Sequence, residues 1–209
     1  MSRPRPLLVL ASGNEHKVEE IRTILTPSLP GLDLSRIVSM AEFGVDSPVE
    51  DALTFEGNAL LKARAVTAAT GLPALADDSG LTVDAMGGAP GIFSARWSGG
   101  HGDDAGNLEL LLAQVSDLKE EDRGAQFVCA AALALPDGKS VTTEGIMRGV
   151  LATQPRGKNG FGYDPAFIAD GYRVTNAELS AEEKNQISHR AKAMRDMAPY
   201  IAKLFDQSH

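Results

Sequence analysis

LLVLASGNEHKVEEIRTIL, residues 7–25, decides the fold class. Leu7 to Ala11 is a short apolar run closed by Ser12-Gly13-Asn14, which reads as a buried strand ending in a turn. From Glu15 to Leu25 the apolar residues Val18, Ile21, Ile24 and Leu25 recur at helical spacing and share one side. Strand, glycine turn and helix in this order open an α/β unit.

The elements that follow fit the same class. FEGNALLKARAVTAA predicts a helix from Phe55 to about Ala69, stopped by Gly71, with the strand LPALAD after it. The glycine-rich segment DSGLTVDAMGGAPGIFSARWSGGHGDD predicts a short strand at Leu81–Val83 and then a long structured loop. Asp103 to Val115 reads as a surface helix with Leu108, Leu111 and Leu112 inward. Phe127–Leu135 and Ser140–Leu151 read as two long strands joined at the hairpin turn Pro136-Asp137-Gly138. A last helix is expected from Ile187 to Phe205. The expectation is an α/β fold, a mixed sheet with a long central hairpin flanked by helices, in a single domain spanning residues 1–209 with two lobes.

Composition bounds the function. At 209 residues the chain is long enough to bury roughly 70 % of its unfolded surface. Twenty basic against 28 acidic residues give a net charge of -8, which argues against a nucleic-acid binder needing a basic face. The single cysteine, Cys129, lies in the apolar run FVCAAALAL and reads as a core thiol. No run approaches the ~18 apolar residues of a membrane span. The opening segment is too short in apolar residues for a signal peptide, so a cytoplasmic protein is expected.

Four polar clusters lie at expected element ends, where functional groups are usually displayed. Ser12, Gly13, Asn14, Glu15, His16 and Lys17 combine a helix start, a permissive glycine and a full positive charge. That suits phosphate, although an ordinary N-capped helix has the same pattern. It is not a P-loop. Asp77-Asp78-Ser79-Gly80 sets two carboxylates on an extended backbone facing opposite sides, so one is free for a metal while the other braces a loop. Magnesium takes one or two carboxylates, waters and substrate phosphates, and Glu50 is a candidate second ligand. A solvated turn is the plainer reading of the same four residues.

The third cluster, PRGKNGFGYDP at 155–165, surrounds Phe161 and Tyr163 with glycines. It fits a backbone hugging a flat base stacked on Phe161, or a loop anchored by its own aromatics. The fourth is SAEEKNQISHR at 180–190, where Ser180 and Glu183 form a capping-box pattern. In one regular helix Lys184 and His189 stand about 140° apart and share no face, so either the helix breaks or only one serves a site. His189 and Arg190 also fit plain surface positions.

Together the tracts LASGNEHKVEEI, TFEGNALLKA, ADDSGLTVDAMGGAPGIFSARWSG, PRGKNGFGYDP and ELSAEEKNQISHRAKAM resemble the inosine triphosphate pyrophosphatase family, in its order and spacing, over nearly the whole chain. The resemblance implies an active-site cleft between the two lobes, usually in a homodimer, and magnesium-dependent hydrolysis of ITP, dITP and XTP. By similarity, Ser12 to Lys17 hold the triphosphate and Glu50 and Asp78 bind magnesium. Asp78 also accepts the proton of the attacking water, and Ser79 touches the substrate. Phe161, Gly162, Tyr163, Asp164, Lys184, His189 and Arg190 shape the nucleotide pocket. His16 falls at a variable position, and Trp97 stands where tyrosine is more usual. Two rivals remain at this stage: a pyrophosphatase for modified pyrimidine nucleotides, and a silent nucleotide-binding module on the same scaffold.

Overall fold

The computed structural model describes residues 5–12 and 15–206, leaving out the side chains of Glu15 and His16. A six-stranded sheet carries β1 (Leu8–Leu10), β2 (Ile37–Ser39), β3 (Ala74–Val83), β4 (Gly124–Ala134), β5 (Ser140–Leu151) and β6 (Phe167–Ala169). Their order is β2-β1-β3-β4-β5-β6. β1 runs parallel to β2 and β3, whereas β5 and β6 are antiparallel, so the sheet is mixed. The helices are α1 (Glu15–Leu25), α2 (Phe55–Thr70), α3 (Asp104–Gln114), α4 (Ala181–Ile187) and α5 (His189–Asp206). The chain divides into two compact units, the first Met1–Asp78, Cys129–Gly145 and Arg190–His209, the second Ser79–Val128 and Ile146–His189.

In the first unit, strand alternation gives the sheet two apolar faces. Leu8 and Leu10 of β1, Leu75 of β3 and Cys129, Ala131 and Leu133 of β4 pack with Val18, Ile21 and Leu25 of α1. Ala191, Met194, Met197 and Ile201 of α5 join them. The intervening residues Ala76, Ala130, Ala132 and Ala134 face Ala59 and Ala63 of α2. Period-two alternation puts adjacent strand residues on opposite faces, so α1 and α5 cover one side and α2 the other. With methyl groups on both surfaces, α2 can lie close to the sheet. Thr54 caps it, its hydroxyl accepting from Gly57 N–H, and Gly71 ends it in the left-handed region at φ 69.

The second unit has its own core of Leu81, Val83, Leu111, Phe127, Met147, Leu151, Tyr163 and Phe167. Trp97 is packed against that core, its indole N–H donating to Gln114.

The hairpin between β4 and β5 turns at Pro136-Asp137-Gly138, with Leu135 N–H bonded to Lys139 O at 2.9 Å. Three details depart from or add to the expectation. LPALAD and Leu81–Val83 are one strand, because Asp77 and Asp78 each find partners on a helix and need no solvated turn. The last helix, expected from Ile187 to Phe205, is α5, while the Ser180 capping box starts a separate helix, α4, that ends at Ile187 where Ser188 adopts ψ 148. The strands β2 and β6 went unread, since three residues are too few to show a period.

Candidate functional site

Asp77 and Asp78 lie inside β3 and so leave opposite faces of the sheet. Asp77 shares its side with Leu75 and meets α1 and α5. Lys17 Nζ is 2.8 Å from Oδ1, and Arg190 Nε is 3.1 Å from Oδ2. Arg190 Nη1 also reaches both carboxylate oxygens of Glu20, at 3.1 and 3.2 Å. Burial alone would raise the Asp77 pKa, but Lys17 and Arg190 outweigh it and hold the carboxyl well below the usual carboxylate range. The Cys129 thiol, 4.0 Å from Asp77, is pushed up by burial and by that carboxylate, which leaves it an inert core group.

Asp78 faces α2, where Asn58 and Lys62 stand one turn apart. Asn58 Nδ2 donates to Asp78 Oδ2 at 3.1 Å, and Lys62 Nζ lies 3.3 Å from Asp78 Oδ1 and 2.9 Å from Glu50 Oε2. Asn58 Oδ1 accepts from Ala52 N–H at 3.0 Å, tying down the loop that carries Glu50. Burial, joined by the charge of Glu50, pushes the Asp78 pKa up against Lys62 and Asn58. Lys62 is itself raised, because Asp78 and Glu50 outweigh its burial.

The residues fit a divalent cation. Glu50 and Asp78, 28 residues apart in sequence, converge on a single positive charge, that of Lys62. Among the described residues no group of three or more His, Cys, Asp or Glu side chains could hold a metal. The available set is two carboxylates, which suits an ion that completes its shell with water and phosphate oxygens.

A second cluster lies in the second unit, around the loop 157–164. Asp164 is buried at its centre, accepting from Phe161 N–H at 2.9 Å and Asn176 Nδ2 at 3.1 Å and forming an ion pair with Lys184. Gly160 sits at φ 75, and a Cβ there would stand 2.2 Å from Asp164 Oδ2, so only glycine lets the loop close over that carboxylate. Tyr163 is buried and its hydroxyl donates to Ser94 O at 2.8 Å. Phe161 is different: 59 % exposed, with Lys184 Nζ 5.0 Å from its ring centroid. His189, the first residue of α5, stacks on Phe127 at 4.9 Å and 12° between planes.

In the first unit, Lys17, Asp77 and Arg190 thus meet on one face of β3 and Asp78 and Glu50 on the other; in the second, Phe161, Gly162, Tyr163, Asp164 and Lys184 cluster, and His189 packs on Phe127. Ser12 lies after β1, its carbonyl accepting from Ser39 Oγ at 2.7 Å, and Ser79 lies in β3. Gly13, Asn14 and the side chains of Glu15 and His16 fall outside the described residues. Sequence reading missed Lys62, Asn58 and Glu20. The signal for the first two was available: Asn58 and Lys62 are polar residues four apart on the otherwise apolar face of a predicted helix.

Fold and side chains together define an α/β protein that presents carboxylates and lysines around one central strand, equipment suited to phosphoanhydrides and divalent cations. The chain belongs to the Ham1 family, whose model matches residues 8–200. It is 56 % identical over 197 residues to the dITP/XTP pyrophosphatase of Streptomyces avermitilis, covering 94 % of this chain and 98 % of that one. The Streptomyces coelicolor protein of the same name is 53 % identical over the same shares of both chains. Among solved structures, a HAM1 protein from Coxiella burnetii superposes with a TM-score of 0.85 at 38 % identity, covering 95 % of this chain and 99 % of that one. The nucleoside-triphosphatase / dITP/XTP pyrophosphatase of Mycobacterium abscessus gives 0.76 at 47 % identity, covering 92 % and 98 %.

Proposed function

We propose that this protein is a magnesium-dependent pyrophosphatase that hydrolyses deaminated purine nucleoside triphosphates (ITP, dITP and XTP) to the monophosphate and pyrophosphate. The observation that carries the reading is the convergence of Glu50 and Asp78 on one cationic point. The names of the closely similar Streptomyces proteins support the substrate class. We further place it in the cytoplasm as a homodimer, acting on free nucleotides rather than on nucleic acid. No helix among the described residues is long and apolar enough to cross a membrane.

Glu50 and Asp78 are the residues that would hold magnesium, which when bound supplies positive charge to the phosphate oxygens. Ser12 to Lys17 hold the phosphates, and Lys17 and Lys62 add two fixed positive charges. Asp78 accepts the proton of the attacking water. Water attacks directly, since the buried Cys129 offers no nucleophile.

Phe161, held by its loop and flanked by Lys184, stacks on the base. Removing the ring in Phe161→Ala raises KM for ITP by about 5- to 150-fold, matching ~1–3 kcal/mol of stacking, with kcat little changed. A KM that stays put takes Phe161 out of the pocket. Donors at the start of α5, His189 and Arg190 with nearby backbone N–H groups, read the 6-oxo oxygen that adenine lacks. Arg190 already engages Asp77 and Glu20, which puts more of that task on His189.

The test is pyrophosphate release from ITP, dITP, XTP, GTP, ATP and dUTP, with and without magnesium. Fast release from ITP, dITP and XTP, slow release from the others and none without metal is the expected pattern. Equal rates on every nucleotide sink the base selectivity. Tight ITP binding without release would make the protein a silent nucleotide-binding module.

A further inference from the structure

The backbone of Phe161 is held from both sides. The peptide before it donates Phe161 N–H to Asp164, and the peptide after it donates Gly162 N–H to Asp104 Oδ2 at 3.0 Å. Asp164 belongs to the loop itself. Asp104 does not: it lies 58 residues earlier, exposed, as the first residue of α3. Asp164 N–H also returns to Phe161 O at 3.2 Å. The rotation of both peptides flanking the Phe161 Cα is therefore set by carboxylates, and with it the direction in which the ring projects. Gly162 adopts φ 58, a conformation that glycine reaches without steric cost and that turns its N–H toward Asp104.

We infer that Asp104 is a positioning residue for nucleotide binding: by accepting from Gly162 N–H it holds Phe161 in the orientation that stacks on the base. This rests on the assignment of Phe161 as the stacking ring. The competing role for an acid at this place is support of α3, because a carboxylate in a first turn favours the positive helix end. That role already has an occupant. Asp103, the preceding residue, caps α3 by accepting from Gly106 N–H at 2.9 Å. The adjacent aspartates divide the work, Asp103 serving the helix and Asp104 the loop. Tyr163 reports the same proximity, its hydroxyl pKa pushed up by burial and then by the charge of Asp104.

The experiment measures KM and kcat for ITP in the parent, Asp104→Ala, Asp104→Asn and Asp103→Ala, with Tm for each. Asp104→Ala is expected to raise KM about three- to tenfold, the size of one charge-assisted hydrogen bond lost near the surface, with kcat essentially unchanged. Asp104→Asn keeps the parent KM, because its amide oxygen accepts the same N–H. Asp103→Ala lowers Tm and leaves KM alone. The inference is overturned if Asp104→Ala leaves KM unchanged, if Asp104→Asn is as impaired as Asp104→Ala, or if Asp103→Ala raises KM equally. A parent that releases no pyrophosphate from ITP counts against the nucleotide reading instead. In that case the exchange rate of the Gly162 amide proton decides for Asp104. It rises in Asp104→Ala and stays at the parent value in Asp104→Asn if the carboxylate holds the loop, and is the same in all if it does not.

Discussion

Asp78→Asn is expected to fold and to lose pyrophosphate release by about 10²- to 10⁴-fold, the usual contribution of a positioned general base. The substitution keeps the size of the side chain and one acceptor oxygen, so Lys62 or Asn58 retains a partner. What disappears is the charge that pairs with Lys62 and the site that takes the proton. The fold gives up little, because burial and Glu50 already disfavour the ionised form at this position. Stability should therefore stay within about 2 kcal/mol of the parent, the cost of one poorly matched hydrogen bond. Denaturation curves and kcat measured on the same preparation separate the two effects. A variant that keeps more than about a tenth of the parent kcat removes Asp78 from the chemistry.

How much of this was legible in the sequence follows from how local each signal is. Helix α1, helix α2 with its Gly71 stop and the Asp137-Gly138 hairpin were readable, since period, cap and turn chemistry lie within a few residues. The last helix was readable to within two residues of its start, but the length of α4 before it was not, because the capping box at Ser180 marks where a helix begins and not where it ends. Only the geometry of Lys184 and His189 hinted that one helix could not serve both. Asp77-Asp78 was legible as a pair facing opposite ways, but not as the middle of a strand. Two acids and a serine before a glycine look like a turn until the partners are known, and Lys17, Arg190, Asn58 and Lys62 come from three different helices. Asp104 and Gly162 had no signal at all, being joined through an exposed side chain and a backbone N–H across 58 positions.

The neighbouring residue behaves in the opposite way. Asp77→Asn is expected to cost about 3–5 kcal/mol of stability, because it leaves two cations, Lys17 and the buried Arg190, without their shared counter-charge. At about 2–4 °C per kcal/mol for a chain of this size, Tm falls by roughly 10 °C. Lys17 can swing toward water, its side chain being 26 % exposed, but Arg190 is enclosed, with Glu20 beside it. The sign with pH follows from the lowered pKa of Asp77. Its contribution is complete above the unfolded carboxylate value of about 3.9 and is lost only as pH falls through the lower folded value. The gap between parent and Asp77→Asn should accordingly be constant from neutral pH down to about 5 and close only in strong acid. Adding Arg190→Met to Asp77→Asn should recover part of the loss, since no enclosed charge then remains and the partly exposed Glu20 can hydrate. A single Asp77→Asn change worth less than about 1 kcal/mol, or a double variant weaker than the sum of both singles, means that this network does not hold α1 and α5 to the strand.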